Sequence, residues 1–237
     1  MSLKAMVFID GAWLYRKRTS IFAKLGVENG CEIDYAKLPR VFCEDVANHL
    51  DEDVGLVRTN YFGTIPSARS SFSSSKQRSF YDFLEKSCGY EMEIHEVDVA
   101  STDAHDETWI KMALGASLMY YSAMPSAFDV AILIGDGVDY APALRRARMF
   151  GRRIQLVTAH AAGDVPPTVG TSLIWKSRVS DFPPLYIDDH AEDVRLVREN
   201  VVRVCMQCGR EEETTWAGPD FFCSNCRSKR SIRVSIG

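Results

Sequence analysis

Ala5-Met6-Val7-Phe8-Ile9-Asp10-Gly11 is a run of five apolar residues that stops abruptly at an acid and a glycine. A strand buried on both faces reads this way, with a polar residue placed at its carboxyl end. The pattern recurs along the chain. Val54 to Phe62 stops at Gly63-Thr64-Ile65-Pro66, Tyr90 to Val97 follows Gly89, Asp129 to Ile134 stops at Gly135-Asp136-Gly137, and Arg153 to Val157 follows Gly151. Between these runs the spacing predicts helices over Trp13–Leu25, Tyr35–Leu50, Ser79–Ser87, Glu107–Tyr121 and Pro142–Phe150. Strands alternating with such helices imply an α/β domain, a central and mainly parallel sheet between two helical layers. In such sheets ligands bind beyond the carboxyl ends of the strands. The serine-rich stretch 67–79 reads as a loop, and the mixed charges of 191–200 as a connecting helix.

Composition narrows the class. The chain has 237 residues, 46% hydrophobic and 25% charged, and a net charge of −4. That balance excludes a globally basic nucleic-acid coat. No apolar run approaches the ~20 residues of a membrane-spanning helix, and without a cationic stretch followed by an apolar block at the start a secretory signal is not expected. Of seven cysteines, Cys205, Cys208, Cys223 and Cys226 cluster near the end, and Cys31, Cys43 and Cys88 stand singly as expected buried thiols. An odd number in two unlike groups points to a reduced, cytoplasmic protein with one local cysteine module.

That module has the spacing Cys205-x2-Cys208-x14-Cys223-x2-Cys226. Two C-x2-C knuckles present four thiolates to one tetrahedral Zn2+. So short a segment cannot bury an adequate core, so a structural zinc would supply its folding energy. The expected organisation is a main domain at 1–190, a linker at 191–200 and a zinc ribbon at 201–237. The ribbon carries six Lys/Arg and four acids, net +2, against −6 for the rest, which favours RNA at the tail and leaves a protein partner open.

Acids mark the candidate site. Asp10 and Asp136 each follow an apolar strand, Asp139 lies three residues on, and Asp103, Asp106 and Glu107 precede the fourth helix. Taken singly, an Asp after a strand is a turn residue or helix cap. Taken together, carboxylates at one rim repel unless a hard cation such as Mg2+ or Mn2+ neutralises them, and such an ion can promote in-line displacement at phosphate. An aspartyl-nucleophile phosphatase would need a second Asp at position 12, which is Ala, and no glycine-rich phosphate loop is present.

Val7-Phe-Ile-Asp10-Gly11-Ala-Trp13-Leu14 resembles the first motif of NYN-domain proteins of the LabA/DUF88 family. Ile132-Leu-Ile-Gly135-Asp136-Gly-Val-Asp139-Tyr140-Ala-Pro142-Ala-Leu144, with Gly151 and Ile154-Gln-Leu-Val157, resembles its second acidic motif and following strand. Tyr61-Phe62-Gly63, Gln77-Arg78, Phe83-Leu84 and Gly89-Tyr90-Glu91 are similar to its middle. The resemblance covers roughly residues 5–190. It implies a PIN-like three-layer α/β/α fold and a metal-dependent ribonuclease site. Asp10, Asp136 and Asp139 would be the Mg2+ or Mn2+ ligands, Asp106 or Glu107 would complete the set, Asp139 would position the attacking water, and His105 could carry a proton. The products, by the same resemblance, are a 5′-phosphate and a 3′-hydroxyl. Three departures stand out: Trp13 where the family has Asn, two residues rather than one between Asp136 and Asp139, and Trp109 where the family has an Asp.

Two functions therefore stand side by side: an RNA hydrolase, and a catalytically weak NYN module that binds RNA or a partner protein in regulation. Arg145, Arg146, Arg148, Arg152 and Arg153 follow the acids in sequence and would hold an RNA backbone, or form a solvated helix face. Arg16-Lys17-Arg18 adds positive charge on the first helix, and Trp13 and Tyr140 would either stack on bases or pack in the core.

Overall fold

A computed structural model describes residues 2–25, 31–66, 73–97, 107–160, 179–197, 201–214 and 220–227, which fall in two compact units, Met1–Arg195 and Leu196–Gly237. The first unit runs β1 (Leu3–Asp10), α1 (Gly11–Ile21), a 3-10 turn (Ala23–Leu25), α2 (Leu38–Leu50), β2 (Val54–Pro66), α3 (Ser73–Cys88), β3 (Glu91–Val97), α4 (Thr108–Ala123), β4 (Val130–Ile134), α5 (Gly137–Met149), β5 (Arg153–Thr158) and β6 (Leu185–Tyr186). The six strands form one sheet in the order β3-β2-β1-β4-β5-β6, every pair parallel. This is the PIN-like α/β/α architecture.

Alternation in the strands builds two cores. Ala5, Val7 and Ile9 of β1, with Val130, Ile132 and Ile134 of β4, face Leu14 and Ile21 of α1, Phe42 and Val46 of α2 and Leu84 of α3. Met6, Phe8, Ala131 and Leu133 face Ile110, Leu114 and Leu118 of α4 with Tyr140, Leu144 and Ala147 of α5. Successive side chains point to opposite faces, so both sides of the central strands must be apolar, and the five short runs in the sequence are the result.

The chain leaves β1 to build β2 and β3 on one side, then crosses over to build β4, β5 and β6 on the other. The order reverses between β1 and β4, and their carboxyl ends hold Asp10 and Gly135-Asp136. A crevice at such a reversal is where open α/β sheets bind ligands.

Several boundaries move. α3 begins within the serine stretch, at Ser73, and α5 begins at Gly137, taking Pro142 inside it. α2 begins at Leu38 because Asp34 caps the preceding turn, its Oδ1 accepting from the amides of Ala36 and Lys37. The connecting helix expected at 191–200 is not found among the described residues of that stretch. Residues 187–194 form turns, Ala191 and Val194 are buried in the first core, and Arg195 bridges Ile33, so this segment belongs to the main unit. Of the single cysteines only Cys43 is buried, which pushes its thiol up to about 12; Cys31 and Cys88 are half-buried. No described helix is long and apolar enough to cross a membrane.

In the second unit β7 (Val201–Val204) and β8 (Glu211–Thr214) form an antiparallel hairpin. Gly209 takes a left-handed φ of 70° in its connection, a conformation that favours glycine.

Candidate active site

Asp10 ends β1 and caps α1. Its Oδ1 accepts from the Trp13 amide at 2.9 Å, and its Oδ2 accepts from the Tyr140 hydroxyl at 2.8 Å. Only 2% of the residue is exposed. Burial pushes its carboxyl up from the ordinary 3.8, against the Trp13 and Tyr140 hydrogen bonds and the charges of Arg16 and Lys111. Both hydrogen-bond donors are neutral, so a buried carboxylate sits here with no cation bonded to it. Gly11 is required beside it, because a Cβ there would lie 2.4 Å from the Tyr61 ring.

Asp136 occupies the corresponding place after β4. It caps α5 through the Val138 amide, at 3.4 Å, and is exposed. Ile9 pairs with Ile134, and a Cβ on Gly135 would lie 3.3 Å from the Asp10 Cβ, so the two junctions are neighbours. Asp139, in the first turn of α5, pairs with Lys111 of α4 at 2.9 Å. Glu107, just before α4, pairs with Arg16 of α1. Asp103, His105 and Asp106 lie outside the described residues.

Asp10, Glu107, Asp136 and Asp139 thus belong to one edge of the sheet, but among the described residues no three of them bring carboxylate oxygens within 4.8 Å of one another. The physical reason is that each is engaged already, Asp10 and Asp136 as caps, Glu107 and Asp139 as ion pairs. The donor chemistry still suits a hard divalent ion: oxygen ligands only, one of them buried without a cation, and two paired with partly exposed cations that a divalent ion can displace.

Arg16 is thereby a component of the site, and Lys111 and Tyr140 join it. Lys111 stands four residues after Glu107, a helical spacing that marks the same face. Tyr140 is fully buried and Trp13 nearly so, which removes both from base stacking. Trp109 stacks on His95 of β3 with ring centroids 4.7 Å apart, an aromatic pair where the resembling family has an acid.

The five arginines do not adjoin this edge. α5 runs back across the sheet, and 12 residues at ~1.5 Å separate Asp136 from Arg148 by roughly 18 Å. Arg145, Arg148, Arg152 and Arg153 line a groove of about 500 Å3 at the amino end of β5. Arg152 is a structural cation there. Its guanidinium donates to the carbonyls of Ser122, Met124 and Phe128, at 3.0, 2.6 and 2.6 Å, and lies over the Phe128 ring. Arg148 pairs with Asp181 at 2.8 Å. Arg145, Arg146 and Arg153 remain exposed.

In the second unit the Sγ atoms of Cys205, Cys208, Cys223 and Cys226 lie within 4.8 Å of one another, Cys208 and Cys223 at 3.6 Å. Tetrahedral Zn2+ with Zn–S of ~2.3 Å needs S···S edges of about 3.8 Å, so the cluster is compatible with a zinc ribbon. Backbone amides, that of Cys223 foremost, pull the Cys205 thiol down to about 6, whereas desolvation and the adjoining sulfurs push Cys226 up to about 12. Four crowded thiols cannot all ionise without a cation among them, which is the condition that a metal relieves. Phe221 is buried beside them.

No curated protein matches the chain. The family model of the NYN domain matches residues 4–174, from the first strand through the acidic edge and past β5. With that match over most of its length, and with the fold and the paired Asp-Gly strand ends in place, the chain belongs to the NYN domain family, a family of PIN-like nucleases.

Proposed function

We propose that the chain is a divalent-metal-dependent endoribonuclease of the LabA/DUF88 kind, cutting RNA at the crevice between the ends of β1 and β4. The observation that carries this reading is Asp10, a buried carboxylate at the sheet's reversal point, bonded only to neutral donors, with Asp136 at the adjoining junction.

Asp10, Asp136 and, once parted from Lys111, Asp139 would hold the Mg2+ or Mn2+, with Glu107 completing the set. Such an ion supplies positive charge against the developing charge on the phosphate and leaving oxygens. The chain's own groups do the rest. Tyr140 and the Trp13 amide fix the Asp10 carboxylate in one orientation. Asp139 would also position the attacking water. Arg16 and Lys111, once parted from their carboxylates, are cations at the same edge able to bind the RNA phosphates. No covalent enzyme intermediate is needed, and the products would carry a 5′-phosphate and a 3′-hydroxyl. Arg145, Arg146 and Arg153 would contact RNA only well away from the cut. A structural zinc among the four clustered cysteines would hold the ribbon folded for RNA or protein contact, with the domain boundaries 1–190 and 201–237 and residues up to 195 packed with the first.

The test is cleavage of end-labelled RNA with Mg2+ or Mn2+ by the wild type, Asp10→Asn and Asp136→Asn. Each substitution is expected to lower the rate at least ~100-fold. Equal activity in all three proteins overturns the enzyme. If that is joined by unchanged RNA retention in all three, the regulatory binding module takes its place.

A further inference from the structure

β5 and β6 carry a second convergence at the same edge of the sheet. The pairing of Val157 with Leu185 and Thr158 with Tyr186 brings the residues after each strand out side by side. These are Ala159-His160 and Ile187-Asp188-Asp189. The Ile187 amide donates to the Thr158 carbonyl at 2.8 Å, and the His160 amide donates to Asp188 Oδ1 at 3.0 Å, so the two connections are laced together. The His160 ring lies flat on Tyr186, centroids 3.9 Å apart and planes 7° from parallel. Stacking and lacing fix the imidazole while leaving its edge directed at two carboxylates.

His160 Nε2 lies 3.0 Å from Asp189 Oδ2 and 3.8 Å from Asp188 Oδ2, and the three ligand atoms all fall within 4.8 Å of one another. Adjacent ligands on a first-row ion with bonds of ~2.1 Å stand about 3.0 Å apart in an octahedron and about 3.4 Å in a tetrahedron, so these spacings suit one ion. The side chain of Asp188 is 6% exposed, that of Asp189 51% and that of His160 43%. The arrangement is a buried anchor with two ligands open to solvent. One imidazole with two carboxylates favours a transition-metal dication over Mg2+, which takes oxygen.

We propose that His160, Asp188 and Asp189 form a binding site for a divalent first-row transition-metal cation, separate from the acidic edge. β4 lies between β1 and β5, and at ~4.8 Å per strand the ion would sit on the order of 10–15 Å from Asp10. Paired catalytic ions stand only about 3.5–4 Å apart, so this ion is not the partner of one held by Asp10. It would tie the β6 connection to the end of β5 and present remaining coordination positions to solvent or a phosphate. The same contacts without an ion describe a histidine held beside two carboxylates, and the experiment separates the two.

Full-length protein with its cysteine cluster zinc-loaded is titrated with Mn2+, and free Mn2+ is read by electron paramagnetic resonance. The wild type is compared with His160→Gln, Asp189→Asn and the Asp10→Asn/Asp136→Asn pair. His160→Gln and Asp189→Asn are each expected to weaken one Mn2+ site at least about tenfold, and the double variant to keep that site. Pulsed resonance of bound Mn2+ is expected to show 14N coupling from an imidazole in the wild type and in the double variant, and none in His160→Gln. Circular dichroism matching the wild type excludes misfolding, and Asp189→Asn, changing an exposed ligand, is the backup if His160→Gln does not fold. Mn2+ binding and 14N coupling unchanged in His160→Gln, or 14N coupling absent from the wild type, overturn the site in favour of the metal-free contact. RNA cleavage enters none of these readouts, so the proposal stands or falls apart from the nuclease.

Discussion

The junction at Asp10-Gly11 and the junction at Asp136-Gly137 are built from the same local parts: a buried parallel strand, an aspartate that caps the next helix, and a glycine as the helix's first residue. Their surroundings differ. Asp10 is itself the last residue of its strand, in register with Phe62 of β2, and is covered by Tyr140, whereas Asp136 lies two residues past the end of β4, is open to solvent and holds one long cap bond. The same motif therefore makes a rigid, cation-hungry carboxylate at one end and a loosely held, hydrated one beside it. A metal site gains from both, an anchor whose position is fixed and a ligand free to adjust.

The largest expected effect is on stability. Asp10→Ala removes a cap and leaves the Trp13 amide and the buried Tyr140 hydroxyl without acceptors, at a cost of about 2–3 kcal/mol. Asp136→Ala removes a single exposed cap bond and should cost about 0.5–1 kcal/mol. Urea denaturation of the two full-length variants measures the gap. Equal midpoints would break the contrast between the junctions.

The sequence shows the contrast only in half. The apolar runs around Val7 and Ile132 were legible because strands buried on both faces admit little else, and the sheet's order placed both aspartates at one edge, as parallel topology demands. The cover over Asp10 was not legible, since it depends on a phenol 130 residues away. The arginines after Asp139 looked adjacent to the site because sequence distance is short, yet a helix crossing the sheet carries them to the other edge. Asp188 follows Leu185-Tyr186-Ile187 just as Asp10 follows its own strand, but at two residues β6 is too short to stand out as a period. Asp106, His105 and most of the stretch 159–184 fall outside the described residues.

Tyr140→Phe sharpens the comparison by uncovering Asp10 alone. Oδ2 loses its donor inside the core, an expected loss of about 1–2 kcal/mol. Saturating Mn2+ should restore part of that loss, because the uncovered oxygen is then a ligand and binding to the folded state adds stability. Thermal denaturation with and without the ion reads both. A Tyr140→Phe protein as stable as the wild type would mean that Asp10 does not depend on its cover.

Acidity offers a third handle. Because the folded-state pKa of Asp10 is raised above 3.8, the folded protein holds this proton more tightly than the unfolded chain. The stabilisation from Asp10 is fully present below the unfolded value and is lost as pH rises through the folded one. Asn at position 10 does not titrate. Asp10→Asn should therefore be more destabilising near pH 3.8 than near neutrality, and a bound divalent ion should raise the wild type above the variant at neutral pH. A stability difference between the two proteins that stays flat with pH would contradict the buried, charge-poor reading of Asp10.

The smallest effect belongs to the exposed side of the site. Lys111 and Asp139 are 37% and 39% exposed, and such a pair contributes about 0–1 kcal/mol, less in salt. Lys111→Ala should hardly move the denaturation midpoint. Its consequence is for competition, because the ammonium occupies the carboxylate that a cation at this edge would use. If a divalent ion displaces Lys111 from Asp139, removing the lysine tightens Mn2+ at the acidic edge a few-fold, an advantage that shrinks as salt screens the original pair. Lys111→Gln should behave the same way, since it keeps the length of the side chain and loses only the charge. Arg16→Gln provides the parallel measurement at Glu107. Tightening by Lys111→Ala but not by Arg16→Gln would place the ion nearer Asp136 and Asp139. Weaker Mn2+ binding in both would mean that these cations hold the carboxylates in their binding positions instead of competing for them.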